Sequence, residues 1–276
     1  MIDAYLDESG IHEGAKVCLI GGYFGGPGQI KRLEVAWKST LSNFGFPMKE
    51  FHAKDLVKSR KARPMLEELA RVAGSQRKVY PVAYGIVVDD FNTFSVEERR
   101  FLTGATLMNS SGRLVTSGCP SKPYFVPFQH TIKIVTNDAP VGGKAHFHFG
   151  LGRPFSDYAR SMFAQIREQS NLPRAASHWT SRDRLGEPSF PLSEETAPLQ
   201  AADLLVHAVY LHMREQVAKG ESADFTRPAS GLARLCVANA KSQSHLVFQN
   251  KEHLQHSIDD AKILSPAWAE RLNRLS

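Results

Sequence analysis

Two adjacent carboxylates near the start of the chain, Asp7 and Glu8, have a type and spacing that could support chemistry. They follow an apolar stretch at residues 2–6 and precede Ser9-Gly10, where the chain can turn. Adjacent carboxylates repel each other, so in a site shielded from water they need a proton or a divalent cation. Neighbouring strand residues face opposite ways, so within the strand only one of the two points into a given site, whereas at the strand end both could. We favour Asp7 as a metal ligand and Glu8 as a second one. The alternative is a solvated strand end in which Asp7 caps the turn.

A second set of reactive side chains lies between residues 50 and 55, where carboxylate, imidazole and ammonium groups follow one another closely. If this segment is extended, Glu50, His52 and Lys54 share one face. Glu50 could then bind a metal ion, His52 could transfer a proton, and Lys54 could contact a phosphate. The alternative is a polar loop whose Asp55 caps the following helix.

A third carboxylate, Asp203, lies in an otherwise apolar stretch at residues 198–215 whose spacing predicts a helix. Helical spacing aligns Asp203 with Gln200 and His207 on one stripe. A buried carboxylate there needs a partner, and a metal ion shared with Asp7 would provide one. The alternative is that this stripe faces water.

Two histidines form a further candidate set. His146 and His148 are two residues apart in a predicted strand, so both face the same side and could bind Zn²⁺ or a similar metal. Histidine pairs on strands also occur for structural reasons alone. We include His148 among the candidate metal ligands.

The strands and helices that would position these groups follow from the spacing of apolar residues. Predicted strands cover residues 2–6, 17–24, 79–88 and 144–149, and the first two form a hairpin. Predicted helices cover residues 29–44, 63–73, 97–108, 155–169 and 198–215, and further helices follow in the last fifty residues. Residues 110–127 and 182–198 are typical of loops, and residues 128–135 fit either a strand or a helix. This order of elements predicts an α/β protein with a mixed sheet flanked by helices.

The composition limits the classes of protein that need to be considered. The chain has 276 residues, of which 42% are hydrophobic and 22% are charged, as in a globular domain with a sizeable core. Its net charge of +6 suits a nucleic-acid partner without requiring one. We find no secretory signal and no stretch near the roughly 18 apolar residues of a membrane helix. Cys18, Cys119 and Cys236 lack disulfide-framework or zinc-site spacing, so we expect a cytoplasmic protein without a membrane partner.

Three motifs in order along the chain resemble those of a bacterial family called domain of unknown function 3800. The first is YLDESG at residues 5–10, followed by a strand that ends near GGYF. The second is EFHAKDL at residues 50–56, and the third is PLQAADLL at residues 198–205. The resemblance spans roughly residues 1–210, with divergent stretches between the motifs.

The resemblance implies a fold. This family resembles ribonuclease H, in which an antiparallel hairpin opens a mixed sheet and acidic residues gather on a metal. We therefore expect a ribonuclease H-like core at residues 1–216, with an insertion around residues 95–140. We expect residues 217–276 to form a helical C-terminal extension packed on that core.

The resemblance also implies a site. Asp7 would lie on the first strand, Glu50 (or His52) would follow the first helix, and Asp203 would close the site from a late helix. Such sites hydrolyse phosphodiesters with two metal ions, one activating water and the other stabilising the leaving oxygen. Hard oxygen ligands suit Mg²⁺ or Mn²⁺.

One departure from the family pattern concerns the strand at residues 144–149. Family members often carry an acidic residue at its end, whereas this chain reads HFHFGLG at residues 146–152. His148 could substitute as a ligand, the site could bind a single metal ion, or catalysis could be lost. The expected fold does not depend on this position, but the expected activity does.

Three functions stay open on the sequence. The first is a metal-dependent nuclease whose site combines metal ligands, a proton-transfer group and a phosphate contact. Its candidate residues are Asp7, Glu8, Glu50, His52, Lys54 and Asp203. The second is a non-catalytic nucleic-acid-binding or adaptor protein with a degraded site.

The third function is a mononuclear metal hydrolase with a preference for Zn²⁺. Its ligands would be His52, His146, His148 and Asp203. For the nucleic-acid functions, the sequence does not choose between RNA, DNA and a hybrid. It also leaves the oligomeric state open, with a homodimer as one option.

Overall fold

Within the residues that the computed structural model describes, a six-stranded mixed β-sheet lies at the centre of the fold. The described residues are 1–104, 106–108, 114–116, 121–150, 155–168, 181–220, 228, 231–240, 245–264 and 270. In chain order the strands are β1 (Ile2–Ser9), β2 (Val17–Gly25), β3 (Val79–Val87), β4 (Thr106–Met108), β5 (Leu114–Thr116), β6 (Ala145–Phe149), β7 (Leu185–Ser189) and β8 (Leu246–Gln249).

The central sheet has the strand order β7-β6-β1-β2-β3-β8. β1, β2 and β3 are antiparallel neighbours, so the hairpin predicted from the sequence does open the sheet. β6 runs parallel to β1, β7 runs parallel to β6, and β8 runs parallel to β3. β4 and β5 pair with each other apart from this sheet.

Helices cover both faces of the sheet, as predicted. In chain order they are α1 (Pro27–Asn43), α2 (Ala53–Leu56), α3 (Arg63–Ser75), α4 (Val88–Asn92), α5 (Val96–Leu102), α6 (Phe125–Asp138), α7 (Phe155–Glu168), α8 (Ala197–Lys219), α9 (Gly231–Cys236) and α10 (Lys251–Leu264). α1, α3, α8 and α9 pack on one face, and α6, α7 and α10 pack on the other. Alternation along β1 explains the two faces, since Ala4 and Leu6 point to the second face and Tyr5 to the first.

A glycine in β2 allows α8 to lie close to the sheet. A Cβ atom on Gly22 would lie 1.9 Å from the carbonyl oxygen of Tyr5 and 3.0 Å from the Ala202 side chain. Only a glycine therefore fits between β1 and the small side chains of α8. This close packing brings Asp203, the neighbour of Ala202, to the end of β1 that carries Asp7.

The middle of the chain differs from the sequence prediction in two ways. The helix predicted at residues 97–108 ends at Leu102, because Gly104 adopts a left-handed conformation (φ +69°) and the chain continues into β4. The ambiguous stretch at residues 128–135 belongs to α6, whose buried Phe128, Ile132 and Val135 follow helical spacing. α6 packs directly on the sheet.

Two strands lie where the sequence predicted none. β7 forms within residues 182–198, which were predicted as a loop, because its backbone pairs with β6. β8 forms within the C-terminal stretch predicted as helices only, and it extends the sheet beside β3. Most of the predicted loop at residues 110–127, and the end of the helix predicted at residues 155–169, lie outside the described residues.

Two of the three cysteines lie in the described part of the chain. Cys18 and Cys236 are buried and free, and Cys119 lies outside the described residues. In the described part of the chain, no helix combines the length and the apolar character needed to cross a bilayer.

Candidate active site

A cleft of about 350 Å³ opens at the end of β1 where Asp7 lies. Its floor is formed by the carboxylates of Asp7, Glu8 and Asp203, and its walls are polar and partly basic. The residues that line it are Asp7, Glu8, Ser9, Lys49, Phe51, His52, Lys54, Gly150, Leu192, Ser193, Glu194, Gln200, Asp203 and His207. Residues of the three motifs at 5–10, 50–56 and 198–205 therefore contribute to one cleft.

Asp7 and Glu8 both line this cleft although they are neighbours in a strand. Asp7 pairs with Gly21 of β2, and Leu6 accepts a 3.1 Å hydrogen bond from the backbone N–H of Gly150 on the other side. Asp7 thus lies on a central strand held from both sides. A carboxylate in this position has little freedom to move away from its neighbours.

Asp203 reaches the cleft from the first half of α8. Its Oδ2 accepts a 2.9 Å hydrogen bond from the backbone N–H of Ala53, at the start of α2. The same oxygen lies 3.7 Å from Nδ1 of His52. The side chain of Asp203 is 18% exposed, whereas that of His52 is 75% exposed. Asp203 is therefore fixed by the second motif, and His52 is free to meet solvent or a ligand.

The three carboxylates on the floor are poorly solvated and interact with one another. Burial raises the pKa of Asp7 well above its usual range, and the nearby charges of Glu8 and Asp203 raise it further. Burial and the charge of Asp203 raise the pKa of Glu8 to about 8. Burial also raises the pKa of Asp203, although the hydrogen bond from Ala53 opposes this. Near neutral pH this floor is stabilised by bound protons or by a cation.

Gln200 holds the walls of the cleft in place. Its Nε2 donates to the carbonyl oxygen of Met48 at 2.8 Å and to that of Glu194 at 3.4 Å. Its Oε1 accepts a 3.1 Å hydrogen bond from the buried indole N–H of Trp37. One buried amide therefore connects α1, the turn before α2 and the turn before α8.

The residue directly after β6, where an acidic side chain was looked for, is Gly150. A Cβ atom on Gly150 would lie 3.1 Å from Oδ1 of Asp7 and 2.7 Å from Oγ of Ser193. The room for a side chain at this position is thus taken by Asp7 and Ser193. Glu194, which follows Ser193, also lines the cleft and belongs to a different element from Gly150.

Glu194 was missed in the sequence because residues 182–198 were predicted as a surface loop. It belongs to a 3₁₀ turn, Ser193–Glu195, directly before α8. The available signal was the acidic pair Glu194-Glu195 close before the third motif. Acidic residues there also suit a helix N-terminus, so the pattern alone does not indicate a ligand.

Basic side chains stand on the wall formed by residues 48–56. Lys49, His52 and Lys54 line the cleft there, and all three are exposed. His207 lines the cleft from α8 and is half-buried. Burial lowers the pKa of His207 to about 4, and the positive charges of Lys54, Arg214 and Lys58 contribute. His207 is accordingly neutral near pH 7, where it could accept or donate a hydrogen bond.

Glu50, a predicted metal ligand, is not brought into the cleft. It is exposed and ends a 3₁₀ turn, Met48–Glu50, that directs Lys49 towards the cleft instead. The prediction assumed an extended segment, but α2 begins directly after His52. His52 and Lys54, the candidates for proton transfer and phosphate binding, both line the cleft.

His148, the other predicted ligand, also lies outside the cleft lining. Its ring stacks on Tyr5 at 4.3 Å, and its Nδ1 lies 2.6 Å from Oγ of Ser189. Tyr5 is its partner in the sheet, so His148 is one same-face step, about 7 Å, short of the level of Asp7. His146 pairs with Asp3, further from the cleft. The four ligands of the mononuclear zinc hypothesis are therefore not brought together.

Among the described residues, no three His, Cys, Asp or Glu side chains form a group that could enclose a metal ion. A ligand set of two carboxylates is nevertheless ordinary for Mg²⁺, which keeps several waters and uses substrate phosphates as further ligands. The donors on the floor are hard carboxylate oxygens, which fit Mg²⁺ or Mn²⁺ better than Zn²⁺.

Comparisons with known proteins identify no relative. No protein-family model, no curated protein and no solved structure matches this chain.

Proposed function

We propose that this protein is a metal-dependent phosphodiester hydrolase that acts on nucleic acid, with a ribonuclease H-like core. One observation carries the proposal. Asp7, Glu8 and Asp203, from the first and third motifs, meet in one cleft where burial and mutual repulsion raise their pKa values. Such a group of carboxylates is stabilised most when a divalent cation replaces the bound protons.

The carboxylates of Asp7 and Asp203 would hold Mg²⁺ or Mn²⁺, and water and substrate phosphate would supply the remaining ligands. When bound, the metal would supply activation of water and neutralisation of charge on the phosphate. The hydrogen bond from Ala53 keeps Asp203 in place, and the pairing of β1 with β2 keeps Asp7 in place. Both ligands would thus be pre-positioned by backbone contacts.

The walls of the cleft provide the remaining roles. Lys49 and Lys54 would attract and orient a phosphate, because they carry exposed positive charge beside an acidic floor. His52, 3.7 Å from Asp203, would exchange a proton with solvent. Neutral His207 could hydrogen-bond a substrate oxygen.

The ribonuclease H-like assignment is supported by the antiparallel hairpin that opens the mixed sheet and by the order of the three motifs. A second function, a non-catalytic nucleic-acid-binding protein, is favoured by Gly150, which replaces the acidic residue expected after β6. The position of Glu194 supports the catalytic function, because it is another acidic residue that lines the same cleft.

The decisive experiment measures cleavage of labelled single-stranded RNA, single-stranded DNA, duplex DNA and hybrid with Mg²⁺, Mn²⁺ or EDTA. We expect metal-dependent cleavage by the wild type and a loss of about 100-fold or more in Asp7→Ala and in Asp203→Ala. Glu195→Ala is the matched control, because Glu195 is an exposed carboxylate beside the cleft that does not line it.

Wild-type activity in Asp7→Ala would exclude the proposed site. Absence of cleavage on every substrate, together with binding to one of them, would support the non-catalytic function instead.

A further inference from the structure

The segment at residues 54–63, here called the basic segment, starts in the cleft wall and leads away from it. Residues 49–63 contain six Lys or Arg side chains and two acidic ones, in a chain whose net charge is +6. Lys54, at one end, lines the cleft. Lys58, Arg60 and Lys61 follow it and are all exposed. The cleft therefore continues into a positively charged surface.

The basic segment is anchored by its apolar residues. Leu56, Val57 and Ala62 pack against the core beneath it. Backbone hydrogen bonds close its turns, from the N–H of Ser59 to Leu56 at 2.9 Å and from that of Ala62 to Ser59 at 3.2 Å. Because the apolar side chains face inwards, the cations between them are held facing solvent.

Most of this positive charge is available to a ligand. Lys58 lies 3.7 Å from Asp55, but both side chains are about 70% exposed, so the pair is weak. Within the described residues, neither Arg60 nor Lys61 makes an ion pair within 4 Å. Arg63 differs, because it forms a 2.9 Å ion pair with Glu67.

We propose that Lys58, Arg60 and Lys61 bind the phosphates of a nucleic-acid strand that leads into the cleft. The direction of the strand rests on the proposed function, since the cleft is where its phosphodiester would be cut. The charge of Lys58 already acts within the cleft, where it helps to lower the pKa of His207. Phosphates leaving the cleft past Lys54 would meet these three cations next.

The basic segment would contact the backbone of the nucleic-acid strand and not its bases. Residues 54–61 extend at most about 25 Å, which spans only a few nucleotides. The aromatic residue of the adjoining wall, Phe51, is buried and so offers no stacking platform to a base. Binding should therefore be independent of sequence and strongly dependent on salt.

The test is fluorescence anisotropy with a labelled 25-nucleotide single strand, measured in EDTA so that cleavage plays no part. The variant K58E/R60E/K61E is compared with R32E/R77E/K78E, which removes the same charge from exposed residues. The control residues lie near the start of α1 and before β3, at the end of the sheet opposite Asp7. A neutral variant, K58Q/R60Q/K61Q, serves if the charge reversal prevents folding.

We expect the Kd of the first variant to rise about 10- to 100-fold at 100 mM salt, and that of the control to change less than threefold. The slope of log K against log salt should fall by about 2, from three lost phosphate contacts on a single strand. Equal weakening of both variants, unchanged binding by the first, or equally tight binding of poly-glutamate by the wild type would overturn the proposal.

The proposed function and this inference fail separately. If the wild type cleaves nucleic acid but the triple variant binds it normally, the cleft is a nuclease site and the basic segment is not part of it. If nothing is cleaved but the triple variant alone loses binding, the basic segment binds nucleic acid although the cleft is not a nuclease site.

Discussion

The floor of the cleft and the basic segment hold opposite charges in opposite surroundings. Asp7 and Asp203 are carried by a central strand and a buried helix, where little water reaches them. Lys58, Arg60 and Lys61 project from surface turns into solvent. Coulomb interactions strengthen as water is removed, so the floor can bind one ion strongly at one place. The basic segment can only attract phosphates weakly, at several places and under salt screening.

The floor of the cleft and the basic segment therefore differ in their effect on the stability of the folded state. Carboxylates gathered in a poorly solvated cleft destabilise the folded state until a proton or a cation joins them. Exposed lysines and arginines cost almost nothing, because water solvates them in both the folded and unfolded states. Substitutions on the floor should therefore have large effects and substitutions on the basic segment small ones.

The largest effect on stability is expected at Glu8. Its pKa is about 8 in the folded protein, above the usual value, so the folded state binds more protons than the unfolded state in the window between. Without metal, stability should therefore fall as pH rises from 5 to 8, by roughly 3 kcal/mol. Glu8→Gln should reduce this dependence and leave the part that comes from Asp7 and Asp203, as measured by thermal unfolding in EDTA.

Glu13→Gln is the control for that measurement, because Glu13 is exposed in the β1–β2 loop. Addition of Mg²⁺ should raise the melting temperature of the wild type more at pH 8 than at pH 5, since the cation competes with protons. A melting temperature that does not vary with pH in EDTA would contradict the assignment of a strained acidic floor.

An intermediate effect is expected at Glu194, an exposed residue that lines the cleft. Glu194→Gln should weaken Mn²⁺ binding about tenfold, because one carboxylate of the cleft becomes neutral. Glu195→Gln should leave it unchanged, since this exposed neighbour is not among the cleft-lining residues. Titration calorimetry of both variants separates the two roles. Equal affinities would mean that Glu194 does not replace the acidic residue missing after β6.

The smallest effect is expected at Asp55, beside the basic segment. Asp55→Asn removes the partner of Lys58, and the free energy of unfolding should change by less than about 0.5 kcal/mol. Binding of a single-stranded oligonucleotide should tighten by about twofold, because Lys58 loses a competing charge. Anisotropy at low salt, with chemical denaturation in parallel, measures both. A loss of stability above 1 kcal/mol would show that this pair matters to the fold.

Much of the fold could be predicted because its strongest elements carry regular patterns. The hairpin β1–β2, the helices α1 and α3, and α8 follow from alternating or helical spacing of apolar residues. The misplaced elements lack such patterns. β8 spans only Leu246–Gln249, and its strand conformation depends on pairing with β3, far away in the chain. The local propensity of these four residues carries no information about pairing with a strand so far away in the chain.

The residues of the candidate site also fall into those that could be predicted from the sequence and those that could not. The acidic residues in apolar surroundings, Asp7 and Asp203, could be identified from sequence because a buried carboxylate is costly without a partner. The assignment of Glu50 depended on an extended segment, and a short turn placed Lys49 in the cleft instead. Glu194 could not be identified, because it lies in a stretch predicted as a surface loop, and only the folded chain places its 3₁₀ turn along the cleft.

The sequence by itself determined the hairpin, the main helices and the residues whose burial would require a partner. These follow from the local periods of strands and helices and from the cost of burying charge. Only the tertiary structure decided which carboxylates meet. The contact between Asp203 and the backbone of Ala53 joins segments 150 residues apart. Such contacts arise from the packing of α8 across Gly22 of the sheet, and no local pattern encodes them.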